Sequence, residues 1–165
     1  MARSGSRPCP PPSPRRYEPL TKAYRDSLWR RTINAFVRPA ARLGLAPDTY
    51  LLVVPGRVSG RPWSTPVLIV RDGDARWLVA PYGDRNWVKN ARAAGAVELR
   101  RGRKRRSYRV EELEPAAAVP VLRRYYRHPL AFVTHPYFDV SRSSPEADWL
   151  AEAPRHPVFR LHPTS

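Results

Sequence analysis

Residues 49–80 read TYLLVVPGRVSGRPWSTPVLIVRDGDARWLVA, and this stretch decides the fold. It contains three apolar runs, over residues 50–54, 64–71 and 75–80, each short enough to be a β-strand. A turn with two glycines separates the first two runs. The Asp72–Gly73 pair, a sequence typical of tight hairpins, separates the last two. Strands joined by hairpins run antiparallel, so the stretch predicts an antiparallel sheet or barrel and not a doubly wound parallel sheet.

The chain on the C-terminal side continues this alternation of hairpins and helices. Residues 85–94 predict a helix that Asp84 caps at its N-terminus and that Gly95 ends in the C′ position. Residues 96–113 predict a second hairpin, which turns at Gly102. The other predicted elements are an amphipathic helix over residues 20–45, a helix over 115–127, a short helix over 146–152 and a last strand over 156–161.

Composition and charge bound the function. The chain has 165 residues and a formal net charge of +16, which points to an anionic partner. Residues 1–19 form a tail rich in Pro and Arg that we expect to be disordered, and residues 20–165 fit a single domain. The only cysteine, Cys9, excludes a disulfide scaffold and a zinc ribbon. No apolar run is long enough to span a membrane, so we expect a bacterial cytoplasmic protein, with association of the basic residues 20–45 with a membrane left open.

Two local patterns are candidate anion sites. In the turn between the first two strands, Arg57, Ser59 and Arg61 flank two glycines, Gly56 and Gly60, whose backbone can approach a phosphate. The alternative is a plain hairpin turn with solvated arginines. The second pattern is the sequence NWVKN over residues 86–90, at a predicted helix N-terminus that favours anions. There Asn86, Lys89 and Asn90 share one side, whereas Trp87 either covers a flat ring or belongs to the core.

Other motifs favour neither a metal site nor a protein nucleophile. The four histidines lack the spacing of metal ligands, and no serine lies in a nucleophile elbow. Residues 100–109 contain seven basic side chains, which is compatible with nucleic acid or a membrane surface. Only Tyr108 interrupts the run with an aromatic ring, and a solvated sheet edge explains the same pattern.

Taken together, the motifs resemble the deazaflavin-dependent nitroreductase family, which uses coenzyme F420. The similar segments are GRVSGRP followed by STPVL over residues 56–68, WVKNARAAG over residues 87–95, and HPVFRL over residues 156–161. The resemblance implies an α+β fold, mainly antiparallel: a split β-barrel, like that of FMN-binding proteins, with flanking helices. It also implies an oxidoreductase that passes a hydride from reduced F420 to a small electrophilic acceptor such as a nitroaromatic, a quinone or an enone.

The resemblance also assigns roles to residues. The cofactor phosphate and tail would lie against the glycine turn, and the deazaflavin ring would lie along the second strand and the end of the third. The implied cofactor residues are Arg57, Val58, Ser59, Gly60, Arg61, Ser64, Thr65, Pro66, Val67, Leu68, Val79, Ala80, Pro81, Tyr82, Asn86, Trp87, Lys89 and Asn90. Tyr126 and Tyr137 are the implied candidates for contact with the acceptor, and no metal is implied.

Two alternatives stay open on the sequence. Val58 stands where the family most often has Lys or Arg, so the same barrel could bind FMN or another ligand instead of F420. A non-catalytic protein that binds nucleic acid or a membrane surface through its basic residues is the second alternative, and the scarcity of interleaved aromatic residues disfavours nucleic acid. Related barrels often pair, so a homodimer is also expected.

Overall fold

Six strands build the core of the computed structural model, which describes residues 48–164. They are β1 (Thr49–Pro55), β2 (Pro62–Asp72), β3 (Ala75–Val79), β4 (Ala96–Arg101), β5 (Lys104–Glu112) and β6 (Val158–Pro163). All neighbouring pairs are antiparallel, and the sheet closes into a barrel in the order β1–β2–β3–β6–β5–β4. This confirms the predicted split-barrel fold. The predicted tail over residues 1–19 and the predicted helix over residues 20–45 lie outside the described residues.

The last strand begins later than predicted. The sequence predicted a strand from residue 156, whereas β6 begins at Val158. Pro157 has no amide hydrogen to donate to a ladder, so regular pairing begins after it. The carbonyl of Pro157 is used all the same, since it accepts a hydrogen bond from the amide of Ala80 at 2.9 Å.

Within residues 48–164, three α-helices accompany the barrel: α1 (Asn86–Ala94), α2 (Pro115–Arg127) and α3 (Glu146–Glu152). A 3-10 segment over Pro129–Tyr137 follows α2, and a second one over Ala153–Arg155 follows α3. Gly95 ends α1 in the left-handed conformation, with φ of 65°, as predicted.

The predicted cap of α1 is wrong. The N-cap is Arg85, and no side chain caps the helix. The carboxylate of Asp84 lies instead 2.6 Å from the guanidinium of Arg92, two turns along the helix. Because the Asp84 carboxylate forms this ion pair, it does not accept a hydrogen bond from the backbone amides at the start of α1.

The apolar side chains divide into an inner and an outer core. Inside the barrel, alternate strand residues pack against Val88 and Ala91 of α1. Outside, β2, β3 and β6 pack against α2, α3 and the segments around them. The largest fully buried inner side chains are Leu52, Ile69, Leu78 and Phe159, and the outer core contains Val79, Leu122, Trp149 and Val158.

The split of the barrel lies between β2 and β3. The ladder that joins them covers only Ile69–Asp72 of β2. Beyond Val79, the chain follows β6 rather than β2, because the Ala80 amide donates to the carbonyl of Pro157. Residues 62–68 therefore pair with β1 along one edge, while no described strand pairs with their other edge. This open edge of β2 is the feature that positions the site.

Candidate active site

The glycine turn joins β1 to β2 and is closed by its own backbone. The amide of Gly56 donates to the carbonyl of Arg61 at 2.9 Å, and the amide of Gly60 donates to the carbonyl of Gly56 at 2.8 Å. Gly60 has a φ of 65°, a conformation that favours glycine. Both glycine amides are thus used within the turn. The expectation that the glycines offer their amides to an anion is wrong, because closing the turn consumes them.

What the turn presents outward is the segment from Arg57 to Ser59. The amide of Arg57 donates to Asn90, whereas no described residue accepts a hydrogen bond from the amides of Val58 and Ser59. The Val58 side chain is 91% exposed. An anion at this turn would meet two consecutive amides between two arginines, an arrangement that suits a phosphate.

Asn90 of α1 joins the two candidate patterns of the sequence. It is 5% exposed, and its Oδ1 accepts hydrogen bonds from the Arg57 amide at 3.2 Å and from the Arg57 guanidinium at 3.1 Å. A buried side chain on a helix therefore fixes both the backbone and the charge of an exposed turn. Because the helix is packed on the barrel, the turn is held in a defined place before any ligand arrives.

The cations near the turn differ in how far they are already neutralised. Arg57 and Arg61 have no carboxylate partner among the described residues, and Lys89 lies 3.9 Å from Asp84. Arg92 is different, since it bonds both Glu112 and Asp84 at 2.6 Å. Its hydrogen bond to Glu112 raises the pKa of Arg92 above its already high ordinary value. Arg57 and Arg61 therefore keep their charge for a ligand, whereas that of Arg92 is offset by its partners.

The open edge of β2 supplies backbone groups. The amide of Ile69 donates to the carbonyl of Asp48 on the β1 side at 2.9 Å. Successive backbone groups of a strand point to opposite edges, so the Leu68 amide and the Pro66 carbonyl point to the open edge. Pro66 has no amide of its own. A flat ring along this edge could accept one hydrogen bond and donate another.

Two tyrosines meet beyond the end of β3. Tyr82 is 37% exposed and lies on a turn in which the Gly83 amide donates to the Ala80 carbonyl at 3.0 Å. Its ring meets the ring of Tyr137 edge to face, with 4.8 Å between the centroids. The sequence placed these residues in different roles, one beside the cofactor and one beside the acceptor. The structure brings them together, forming a small aromatic surface.

Several predicted site residues lie in the core instead. Trp87 is 7% exposed and packs against Phe159 with 6.0 Å between the rings, which favours the core alternative for this residue. Tyr126 is 9% exposed, and its ring stacks on His135 at 3.8 Å. This burial does not suit Tyr126 for contact with an acceptor. Val79 and Ala80 are also buried, so only their backbone could face a ligand.

The remaining predicted residues divide according to the strand face. Thr65 and Val67 pair with Leu52 and Tyr50, which places them on the inner face of β2. Ser64 pairs with Val53 on the outer face, together with Pro66 and Leu68. Asn86 is exposed at the start of α1, and Pro81 is half-buried before Tyr82. Outer-face side chains and edge backbone groups are thus the parts of β2 that a ligand at the split would reach.

Sequence reasoning missed Glu152 and His156, which form a buried pair at the end of α3 and just before β6. Their spacing of four residues was the available signal, since residues four apart on a helix are neighbours. Elsewhere, residues 48–164 contain no cluster of three His, Cys, Asp or Glu side chains that could hold a metal ion. In the same part of the chain, no helix is both long and apolar enough to cross a membrane.

The architecture and the candidate site define a split-barrel protein with an arginine-flanked turn beside an open strand edge, and comparisons with known proteins identify its family. The sequence matches the F420H(2)-dependent quinone reductase family over residues 24–141. The match covers most of the chain, and the chain belongs to this family. It is therefore an oxidoreductase, and its cofactor is coenzyme F420. No curated protein sequence matches the chain.

One solved structure shows the same fold at low sequence identity, and two others resemble the chain less closely. One, described as a domain-swapped dimer, is 17% identical with a TM-score of 0.51, covering 81% of this chain and 97% of that one. A structure of an F420-H2 dependent reductase (FDR-A) is 22% identical with a TM-score of 0.47, covering 70% and 95%. A protein related to general stress protein 26, from Clostridium acetobutylicum, is 12% identical with a TM-score of 0.49, covering 79% and 84%.

The residues described above fit this cofactor. F420 carries a phosphate and an acidic tail on a flat deazaflavin ring. The turn offers two uncompensated guanidinium groups and two available amides for negative charge. The open edge of β2 offers a donor and an acceptor for the ring. FMN, the alternative left open by Val58, is not the cofactor of the matched family.

Proposed function

We propose that this protein reduces a small, flat electrophile, of which a quinone is the preferred kind, with reduced F420 bound at the glycine turn and the open edge of β2. The family match establishes F420-dependent reduction and sets aside a purely non-catalytic role. The acceptor is the proposed part. The observation that carries it is the Tyr82–Tyr137 pair, a partly exposed aromatic surface. Tyr82 lies on the turn that follows β3 at the split, and Tyr137 ends the 3-10 segment that follows α2.

The chemistry is a two-electron reduction. The bound cofactor supplies a hydride and a proton, and a quinone that takes up both becomes the hydroquinone. The protein's part is to bind, orient and exclude water. Arg57 and Arg61 hold the charged end, the Leu68 amide and the Pro66 carbonyl orient the ring, and the two tyrosines pack against the acceptor.

A quinone fits the tyrosine surface better than a charged acceptor does. Aromatic side chains pack on flat rings through area and edge-to-face contacts. The guanidinium of Arg85 donates to the carbonyl of Tyr82 at 3.2 Å, which fixes the turn that presents this ring. Nitroaromatics and enones are also flat and uncharged, so they are the natural competitors in a test.

The test is a panel of acceptors assayed with reduced F420 under anaerobic conditions. We expect kcat/KM to be highest for a naphthoquinone, followed by nitroaromatics and enones. Tyr137→Leu should raise KM for the quinone while leaving F420 affinity unchanged. A panel in which no quinone reacts faster than the enones contradicts the proposed acceptor.

Three further expectations stay predictions. A homodimer is expected because related barrels often pair, and one structure of this fold is described as a domain-swapped dimer. Light scattering of the purified chain tests it. Contact with an anionic membrane and a cytoplasmic location are tested by fractionating cells at low and high salt.

A further inference from the structure

A buried polar cluster lies where the chain passes from α3 to β6. Glu152, at the end of α3, and His156 are 4% and 3% exposed. Oε1 of Glu152 lies 2.7 Å from Nε2 of His156. An ionised carboxylate only accepts hydrogen bonds, so Nε2 carries the proton and donates. Burying these two groups costs free energy that an apolar pair would not, which calls for a reason beyond packing.

The first set of contacts holds the chain just after Tyr137. The backbone amide of Asp139 donates to Oε1 of Glu152 at 3.2 Å. The Arg155 guanidinium bridges Oε2 of Glu152 at 3.0 Å and the Asp139 carboxylate at 2.5 Å. The ring of His156 stacks on Phe138 at 4.0 Å, with 18° between the planes. The two residues that follow Tyr137 are thus fixed by backbone, charge and ring contacts to one cluster.

The second set of contacts holds the chain around Tyr82. Pro157 follows His156 directly, and its carbonyl accepts the Ala80 amide at 2.9 Å. On the other side of Tyr82, a Cβ added to Gly83 would lie 3.2 Å from the carbonyl of Arg155. The turn that carries Tyr82 is therefore packed on the segment over residues 155–157, which the Glu152–His156 bond anchors.

We propose that Glu152 is a positioning residue for acceptor binding: it fixes, through Asp139 and His156, the two segments that carry Tyr137 and Tyr82. The cluster sets the angle between two rings that come from distant parts of the chain. This inference rests on the proposed function, since it assumes that the tyrosines contact the acceptor.

The test compares Glu152→Gln with Glu111→Gln. Glu111 pairs with His162 at the same 2.7 Å, but on the exposed outside of the barrel, so it is a chemically matched control. We expect Glu152→Gln to raise KM for the quinone about fivefold or more, with a smaller change in kcat and the same Kd for F420, because a small misplacement of binding groups weakens productive contact. Glu111→Gln should behave as the unmodified protein.

A double-mutant cycle separates positioning from general weakening of the fold. If Glu152 acts through the two tyrosines, Glu152→Gln should raise KM by a clearly smaller factor once Tyr137→Leu is present, because only the placement of Tyr82 is then left to lose. Effects on KM that multiply would overturn the proposal, as would a KM no higher than that of Glu111→Gln.

Two further arms keep the outcome interpretable. Should Glu152→Gln fail to fold, Asp139→Asn loosens the same segment from its exposed side, and an unchanged KM in that variant overturns the proposal. An unmodified protein that reduces no quinone refutes the proposed function itself. If the unmodified protein reduces the quinone and the variants have the same KM for it, only the role of Glu152 is refuted.

Discussion

Replacing Asn90 by Ala tests how the cofactor turn is held. The change removes one oxygen that accepts two hydrogen bonds from Arg57, one from the amide at 3.2 Å and one from the guanidinium at 3.1 Å. A hydrogen bond to a charged group contributes roughly 1.5–3 kcal/mol and a neutral one about 1 kcal/mol. These values are contributions to the stability of the fold. Only part of this free energy is lost from F420 binding, because Arg57 can still approach the phosphate when it is no longer bonded to Asn90. Ordering the backbone of a loosened residue again costs about 1–2 kcal/mol.

We therefore expect Asn90→Ala to raise the Kd for F420 about tenfold, which corresponds to ~1.4 kcal/mol. Fluorescence titration of F420 measures it, beside a thermal melt of the same preparation. Thr134→Ala is the control, since Thr134 is also buried and bonds both Tyr125 and the carbonyl of Ala131, in another part of the fold. Both variants should melt a few degrees lower, and only Asn90→Ala should lose affinity. Equal affinities in the two variants would refute the reasoning.

Four other predictions concern single positions. Arg61→Ala should raise the Kd for F420 about tenfold in the same titration, because a charge-assisted contact is lost; an unchanged Kd removes Arg61 from the site. Val58→Lys should lower the Kd for F420, since the side chain at this position is exposed and the lysine adds a cation without crowding; an unchanged or higher Kd would show that the turn gains nothing from a cation at position 58. Gly60→Ala should fold with about 1 kcal/mol of backbone strain, because no atom lies within 4 Å of the added Cβ, and should bind F420 better than Asn90→Ala does; the reverse order of affinities would show a direct contact at Gly60. Burial alone would raise the pKa of Glu152, but hydrogen bonds from His156 and the Asp139 amide, with the nearby charges, place that pKa below its ordinary value. The ionised carboxylate therefore stabilises the fold above its unfolded-state pKa, and this stability is lost as the pH falls through the folded-state pKa. In denaturation experiments at stepwise lower pH, the free energy of unfolding should fall less steeply for Glu152→Gln than for the unmodified protein. Equal pH dependence in the two proteins would contradict the lowered pKa of Glu152.

The strands β1, β2, β3 and β6 could be predicted because each is a short, mostly apolar run next to turn residues. The hairpin of β4 and β5 could be predicted from alternating apolar residues on either side of Gly102. The Asp72–Gly73 hairpin and the stop at Gly95 follow from local conformational preference alone. The prediction that Asp84 caps α1 was wrong for a reason that the residues around Asp84 do not reveal. Arg92 lies two turns along the helix, and only the folded helix places its guanidinium against Asp84.

The site could be predicted in part. The glycine turn and the start of α1 stood out separately by composition, but their connection through Arg57 and Asn90 spans 33 residues and depends on how the helix packs. The roles of Trp87 and Tyr126 could not be resolved, since an aromatic residue beside a motif fits a core as well as a ligand site. The split itself depends on where the β2–β3 ladder stops, which the alternation of β2 does not reveal.

A single-turnover experiment tests the central claim most directly. Protein loaded with reduced F420 is mixed anaerobically with a soluble naphthoquinone, and the return of the oxidised cofactor's visible absorbance is followed. The account predicts oxidation that saturates with quinone concentration in the unmodified protein. It also predicts a strongly reduced amplitude at limiting F420 in the Arg57→Ala/Arg61→Ala variant, which binds less cofactor. Oxidation no faster than that of free reduced F420, or equal amplitudes in both proteins, would contradict the claim that the cofactor reacts from this turn.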